Sequence, residues 1–353
     1  MSIASTSAAP STPYYLPVRQ DWLDRRKEPI LAPDLPIVDP HHHLWDRPDW
    51  RYLLDELLAD TESGHNIVAT VFVQARAMTR PTGPVEMRPV GETEFVNGVA
   101  AMSASGTYGS TRHCAGIVGH ADLTLGSRAE PVLEAHIRAG GDRFRGIRHI
   151  TAWDTDNSVR NPAYGPPGGL LGDAAFRAGF AVLGRLDLTF DAWLFHPQID
   201  ELTDLARAFP ETRIVLDHVG GPIGIGSYGS RRAEVLPVWA ASIRRLAHCP
   251  NVYVKLGGLG MRLGGFGFHE QPEPPSSEAL AAAWRPYVET CIEAFGPARA
   301  MFESNFPVDK GSYSYAVVLW NACKRLAHGA SDAEKAELFS GTAARFYRLD
   351  LAD

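Results

Sequence analysis

Runs of apolar and β-branched residues recur along this chain at intervals of roughly thirty to fifty residues, with helix-period patterns between most of them. Eight such runs predict strands at 35–39, 67–74, 115–120, 144–149, 189–196, 213–218, 251–256 and 299–305. Amphipathic stretches predict helices at 130–139, 198–209, 233–248 and 278–295, and at 313–328 and 332–347 after the last strand. Repeated βα units of this kind predict an α/β fold, a single (β/α)8 TIM barrel over 35–353 behind a flexible N-terminal arm, 1–34. A doubly wound open sheet is the alternative, because a sequence does not show whether its first strand pairs with its last. The Gly/Pro-rich segments 78–90, 155–172, 220–231 and 257–277 each follow a predicted strand closely, which puts them on the strand C-terminal face of a barrel. The last of these reads as a lid.

Composition narrows the class. At 353 residues the chain is long enough for a large core, and a net charge of −7 with mixed signs argues against nucleic acid or an anionic membrane as the main partner. No apolar run reaches membrane-spanning length, and the Ser/Ala/Thr/Pro-rich start lacks a basic and apolar leader pattern, so a cytoplasmic address is the default expectation. Cys114, Cys249, Cys291 and Cys323 lie far apart and read as reduced core thiols. A homo-oligomer stays open, since helix 233–248 could pack within one copy or between two.

Candidate chemistry gathers at the predicted strand ends. In Asp39-Pro40-His41-His42-His43 the alternate spacing points His41 and His43 to one side of an extended strand, where two imidazoles can share a divalent ion, and turns His42 to the other. Other strand ends offer Gln74, His120, Arg148, His196, His218, Lys255, and Glu303-Ser304-Asn305. A barrel turns these separated positions into one ring. The cationic Arg148 and Lys255, with Gln74 and His120, predict an anionic or polyoxygenated small-molecule substrate, although Lys255 could instead pair with Asp191 or Asp217. The G-x-G-x-x-G at 224–229 comes too late in the chain for a dinucleotide site and reads as a loop.

From about residue 35 onward the chain resembles the amidohydrolase-related TIM-barrel metal-dependent hydrolases, in particular the branch of 2-pyrone-4,6-dicarboxylate lactonase and fuconolactonase-like enzymes. The resemblance rests on Val-Asp-Pro-His-His-His-Leu-Trp (38–45), Phe-Arg-Gly-Ile-Arg-His (144–149), Leu-Phe-His-Pro-Gln (194–198), Leu-Asp-His-Val-Gly-Gly-Pro (216–222), Val-Lys-Leu-Gly-Gly (254–258) and Met-Phe-Glu-Ser-Asn-Phe-Pro (301–307). It implies a metal or carbonyl pocket built from His41, His43, His196 and His218. One departure stands out: the family pattern has Asp at the end of the eighth strand, where this chain has Asn305, and an amide cannot act as a base. Glu303 or Asp309 could supply the missing carboxylate.

The expected activity is hydrolysis of a lactone or related cyclic carbonyl compound bearing carboxylate or hydroxyl groups. His41, His43 and His196 would hold one divalent ion, zinc being best suited to imidazoles, while His218 moves the proton and Asn305 positions water. Metal-free action, with the histidines and Arg148 polarising the carbonyl, remains open. The competing readings are a metal-dependent non-oxidative decarboxylase of an aromatic or unsaturated acid, and a non-catalytic ligand-binding barrel.

Overall fold

The computed structural model describes residues 14–161 and 163–351. Eight parallel strands pair in sequence order: β1 (Ile37–His42), β2 (Ile67–Val73), β3 (Arg112–Gly119), β4 (Phe144–Ile147), β5 (Thr189–Ala192), β6 (Ile214–Leu216), β7 (Val252–Leu256) and β8 (Ala300–Phe302). Helices follow them: α1 (Leu54–Thr61), α2 (Val90–Ala104), α3 (Glu130–Gly140), α4 (Ala174–Arg185), α5 (Ile199–Ala208), α6 (Arg232–Ala247), α7 (Ser277–Phe295) and α8 (Trp320–Leu326). The ring closes just beyond β1 and β8. There His43 N donates to Phe306 O at 2.8 Å, Asn305 N donates to His41 O at 2.9 Å, and Ser304 N donates to the Asp39 carboxylate at 3.0 Å. The closed barrel therefore replaces the open-sheet alternative.

The strands are buried on both faces, which is why they read as continuous apolar runs and not as alternating ones. Inside the barrel Val38, Val71, Val73, Val118, Val215 and Met301 pack with Phe346 and Tyr347 of a final short helix, Thr342–Tyr347. The surrounding helices bury one stripe each; α5 buries Ile199, Leu202, Thr203, Leu205 and Ala206. Side-chain caps start α4 and α7: Asp173 accepts from Phe176 N and Ser276 from Ala279 N.

Strand ends and two helices differ from expectation, with β4 ending at Ile147 and β6 at Leu216, each two residues early. β5 stops at Ala192 instead of reaching His196, because Trp193 O turns away to accept from Thr151 N at 3.0 Å. β8 stops at Phe302, and the next residues serve barrel closure. The helices expected at 313–328 and 332–347 are broken by π-helical turns at Tyr315–Leu319 and Glu337–Gly341.

Residues 1–13 of the expected N-terminal arm lie outside the described residues. The described remainder, 14–34, is packed chain. Leu16, Trp22 and Leu23 are buried, Trp22 Nε1 donates to Gln271 O at 3.1 Å, Arg26 donates to Pro274 O, and the Glu28 carboxylate accepts from Ser277 N at 2.8 Å. Cys114, Cys249, Cys291 and Cys323 are free and buried. No described helix is long and apolar enough to cross a membrane.

Candidate active site

The three adjacent histidines of β1 divide as strand alternation requires. His42 faces outward, where its Nε2 meets Thr70 Oγ1 at 2.8 Å. His41 and His43 face the barrel mouth with ring centroids 5.0 Å apart. Asp39, two residues earlier, points inward as well and ties β1 to β8 by accepting from His41 N, Ser304 N and the Tyr315 hydroxyl. His43 is locked by its Nδ1, 2.7 Å from Val73 O, and by stacking on Trp45. Burial, reinforced by Arg148, holds its pKa well below the usual imidazole value.

Opposite β1 stands a pair from β6 and β8. His218 Nδ1 lies 2.7 Å from Glu303 Oε1, and the same oxygen accepts from His218 N at 3.1 Å. The other Glu303 oxygen is 2.9 Å from His41 Nδ1. Burial pushes the Glu303 pKa up, but the two imidazoles and their hydrogen bonds outweigh it and leave the carboxyl below its usual range. The backbone makes room for the pair at some strain. His218 and Asn305 both have φ of 55°, and a Cβ on Gly257 would lie 2.5 Å from Glu303 Cγ, one on Gly258 2.4 Å from the His218 ring.

Beneath these groups lies a buried ionic cluster. Lys255 Nζ is 2.7 Å from Asp191 Oδ2, 3.1 Å from Asp217 Oδ1 and 3.1 Å from His41 Nδ1, and the Tyr347 hydroxyl donates to Asp191 at 2.6 Å. Burial works against the Lys255 ammonium, yet Asp191, Asp217 and Glu303 raise its pKa above the usual value. Burial and that ammonium together lower the His41 pKa to about 4. Arg148 joins from β4, its Nη1 3.6 Å from Asp217 and 3.2 Å from His41 Nε2.

A cavity of about 50 Å³ opens onto His43, Arg148, His218 and Asn305, with Trp45, Trp193 and Tyr164 among its walls. Four of the expected site residues are thus brought together there, and His41 lies directly behind them. The others are not. His196 starts a short turn past the early end of β5; its Nδ1 accepts from Ile223 N and its ring rests on Tyr228, so Trp193 takes the wall position expected of it. Lys255 is in the salt bridge with Asp191 and Asp217 and does not line the cavity. His120 lies beside a separate groove with Arg76 and Glu92, its Nδ1 3.1 Å from Arg148 O. The Gln74 amide is buried off the cavity, although Gln74 O accepts from Arg148.

Among the described residues, His41, Asp217 and His218 bring ligand-capable atoms within 4.8 Å of one another. Two imidazoles and a carboxylate are a donor set that zinc accepts, so the site fits a divalent ion in kind. Asp217 stands beside the motif histidine in the sequence, and an acidic residue next to a strand-end histidine was the one available signal for it. Trp193 carried no signal.

The amidohydrolase family pattern matches residues 38–349, nearly the whole barrel. The chain belongs to the amidohydrolase family. This amidohydrolase is 33% identical over 338 residues to an uncharacterized protein of Sinorhizobium fredii, y4mH, covering 90% of this chain and 99% of that protein. It is 29% identical over 330 residues to an L-fucono-1,5-lactonase of Burkholderia multivorans, covering 88% of this chain and 96% of that enzyme. The crystal structure of an amidohydrolase from Burkholderia multivorans with bound zinc superposes with a TM-score of 0.69 at 27% identity, over 89% of this chain and 99% of that one.

Proposed function

We propose that this amidohydrolase opens a lactone or a related cyclic ester that carries hydroxyl or carboxylate groups. The observation that carries the reading is the His218–Glu303 pair at the cavity. With the Nδ1 proton donated to Glu303, the other ring nitrogen of His218 has its lone pair free to accept a proton, the arrangement a general base needs. The similarity to an L-fucono-1,5-lactonase supports a polyhydroxylated lactone in particular.

Each wall residue has a defined part. Arg148 holds a substrate carboxylate or the oxygen that gains charge when water adds to the carbonyl. Asn305 Nδ2 donates one hydrogen to Asp309 Oδ1 at 2.9 Å, which leaves its carbonyl oxygen and second amide hydrogen to orient water or a substrate hydroxyl. His218 takes the proton of the attacking water and returns it to the alkoxide released as the ring opens; Glu303 stabilises the imidazolium in between. The missing strand-eight Asp is replaced by Glu303, which lies two residues earlier and supports a histidine in place of acting on water itself.

A divalent ion, zinc by donor preference, would be held by His41, Asp217 and His218, and His218 would then be a ligand in place of the base. When bound it supplies Lewis acidity that polarises a carbonyl and lowers the pKa of water to about 7. The test is hydrolysis of L-fucono-1,5-lactone and other aldonolactones, followed by proton release with a pH indicator, before and after chelation. Activity unchanged by chelation assigns His218 to the proton. Activity lost on chelation and restored by zinc assigns it to the ion. No hydrolysis of any lactone in either state overturns the reading.

A further inference from the structure

The cavity is closed on one side by the segment that enters the barrel, not by the barrel itself. Tyr14 and Tyr15 both line it, with rings 5.2 Å apart edge to face. Tyr15 also packs edge-on against Trp50 at 5.7 Å and carries the Arg47 guanidinium 5.6 Å from its ring; its hydroxyl accepts from Asn161 Nδ2 at 3.0 Å. Burial raises the Tyr15 pKa to about 12, so the hydroxyl keeps its proton.

The segment is fastened directly after these tyrosines. Leu16 is buried against Gly311, where a Cβ would lie 2.5 Å from Leu16 Cβ and 2.9 Å from Leu16 O, so only glycine permits the approach. Arg19 donates to His269 O at 2.6 Å and Trp22 to Gln271 O at 3.1 Å, which ties the segment to the long loop between β7 and α7. The loop expected to be a lid is therefore the seat of a strap that lies over the cavity.

The cavity, about 50 Å³ and open on one side to solvent, holds about three to five waters at roughly 10–15 Å³ each. A six-membered lactone ring with its substituents has more non-hydrogen atoms than that, so the wall nearest the solvent decides what fits. We infer that Tyr15, carried on the strap 14–16 and positioned by Asn161, is a specificity-determining residue: its ring limits the size of the lactone, and its hydroxyl, with Asn161, meets the substrate's hydroxyl groups. The inference rests on the lactone reading for the identity of the substrate but not for the existence of the wall.

Two measurements separate these. The first is the rate at which diethyl pyrocarbonate modifies His43, read by peptide mass spectrometry in wild type, Tyr15→Ala and Tyr15→Phe, with the exposed His328 as a control away from the cavity. The wall predicts several-fold faster modification of His43 in Tyr15→Ala alone, with His328 unchanged; an unchanged His43 rate overturns it. The second is kcat/KM on aldonolactones of one and of two sugar units. Tyr15→Ala is expected to raise the two-unit to one-unit ratio, mainly through KM, and Tyr15→Phe to weaken KM for hydroxylated lactones without moving that ratio. Lactone turnover with the ratio unchanged in Tyr15→Ala overturns the size role. If the wild-type protein hydrolyses no lactone, the functional reading fails, and the histidine rates alone decide the wall.

Discussion

Asn305 shows how one side chain's partners decide what a substitution does. An aspartate is what the family pattern expects there, yet the Asn305 amide donates to Asp309, whose other oxygen accepts from Gly260 N and the Tyr313 hydroxyl. Burial raises the Asp309 pKa to about 6. Asn305→Asp would replace that donor with a second carboxylate, and two carboxylates at hydrogen-bond distance share one proton. The folded variant would hold that proton more tightly than the unfolded chain, so its stability should fall further below wild type as pH rises from about 4 through 6 and beyond. Urea unfolding across that range checks it, and equal curves for the two proteins would rule it out. Glu303 makes the complementary case. Glu303→Gln has one oxygen to serve two imidazoles, and we expect kcat to drop by about 10² to 10⁴ with the fold retained. Both residues could be picked out in the chain, but nothing in the chain told whether Glu303 or Asp309 pairs with His218. That choice depended on which one faces His218.

At the level of elements, the strand ends are set by helices as much as by strands. Glu92, in the first turn of α2, accepts from Ala75 N and Ala77 N at 2.8 Å each and so fixes the chain leaving β2. Burial raises its pKa from 4.5 to about 7. A carboxyl raised in the folded state costs stability as pH climbs, here from about 4.5 to 7, by a figure on the order of 3 kcal/mol. Glu92→Gln keeps an acceptor and removes the titration, so its stability should decline less over that window; an identical slope would show that Glu92 does not titrate there. The turn after β7 is constrained by space alone. Gly258 has φ of +66° and no room for a Cβ beside His218, so Gly258→Ala should displace that ring and lower kcat more than it lowers the melting temperature. The eight strands were readable from apolar runs, but where each ends was not. His196 was expected at the end of β5, and the chain leaves the sheet after Ala192 because Trp193 O pairs with Thr151, a partner some forty residues away in the sequence.

Across the whole molecule, the barrel's interior is a stack in which an apolar layer supports a charged one and the charged one supports the cavity. Lys255 from β7 bridges Asp191 from β5 and Asp217 beyond β6, while Arg148 beyond β4 and Glu303 beyond β8 complete the ring. Removing one partner of a buried ion pair leaves an uncompensated charge, so Lys255→Met should cost about 3–5 kcal/mol, measured by chemical denaturation. A loss under about 1 kcal/mol would mean that water or a bound cation already balances the acidic groups. The sequence by itself determined the periodic βα pattern, the inward pair His41 and His43, the family and the replacement of aspartate by Asn305, because strand alternation and motif order are local properties of a chain. Only the tertiary structure decided that His196 and Lys255 stay out of the cavity, that Glu303 pairs with His218, and that Tyr15 lines the mouth. Those depend on where strands end and on contacts between residues as far apart as Tyr15 and Asn161, and such distances come into being only when the barrel closes.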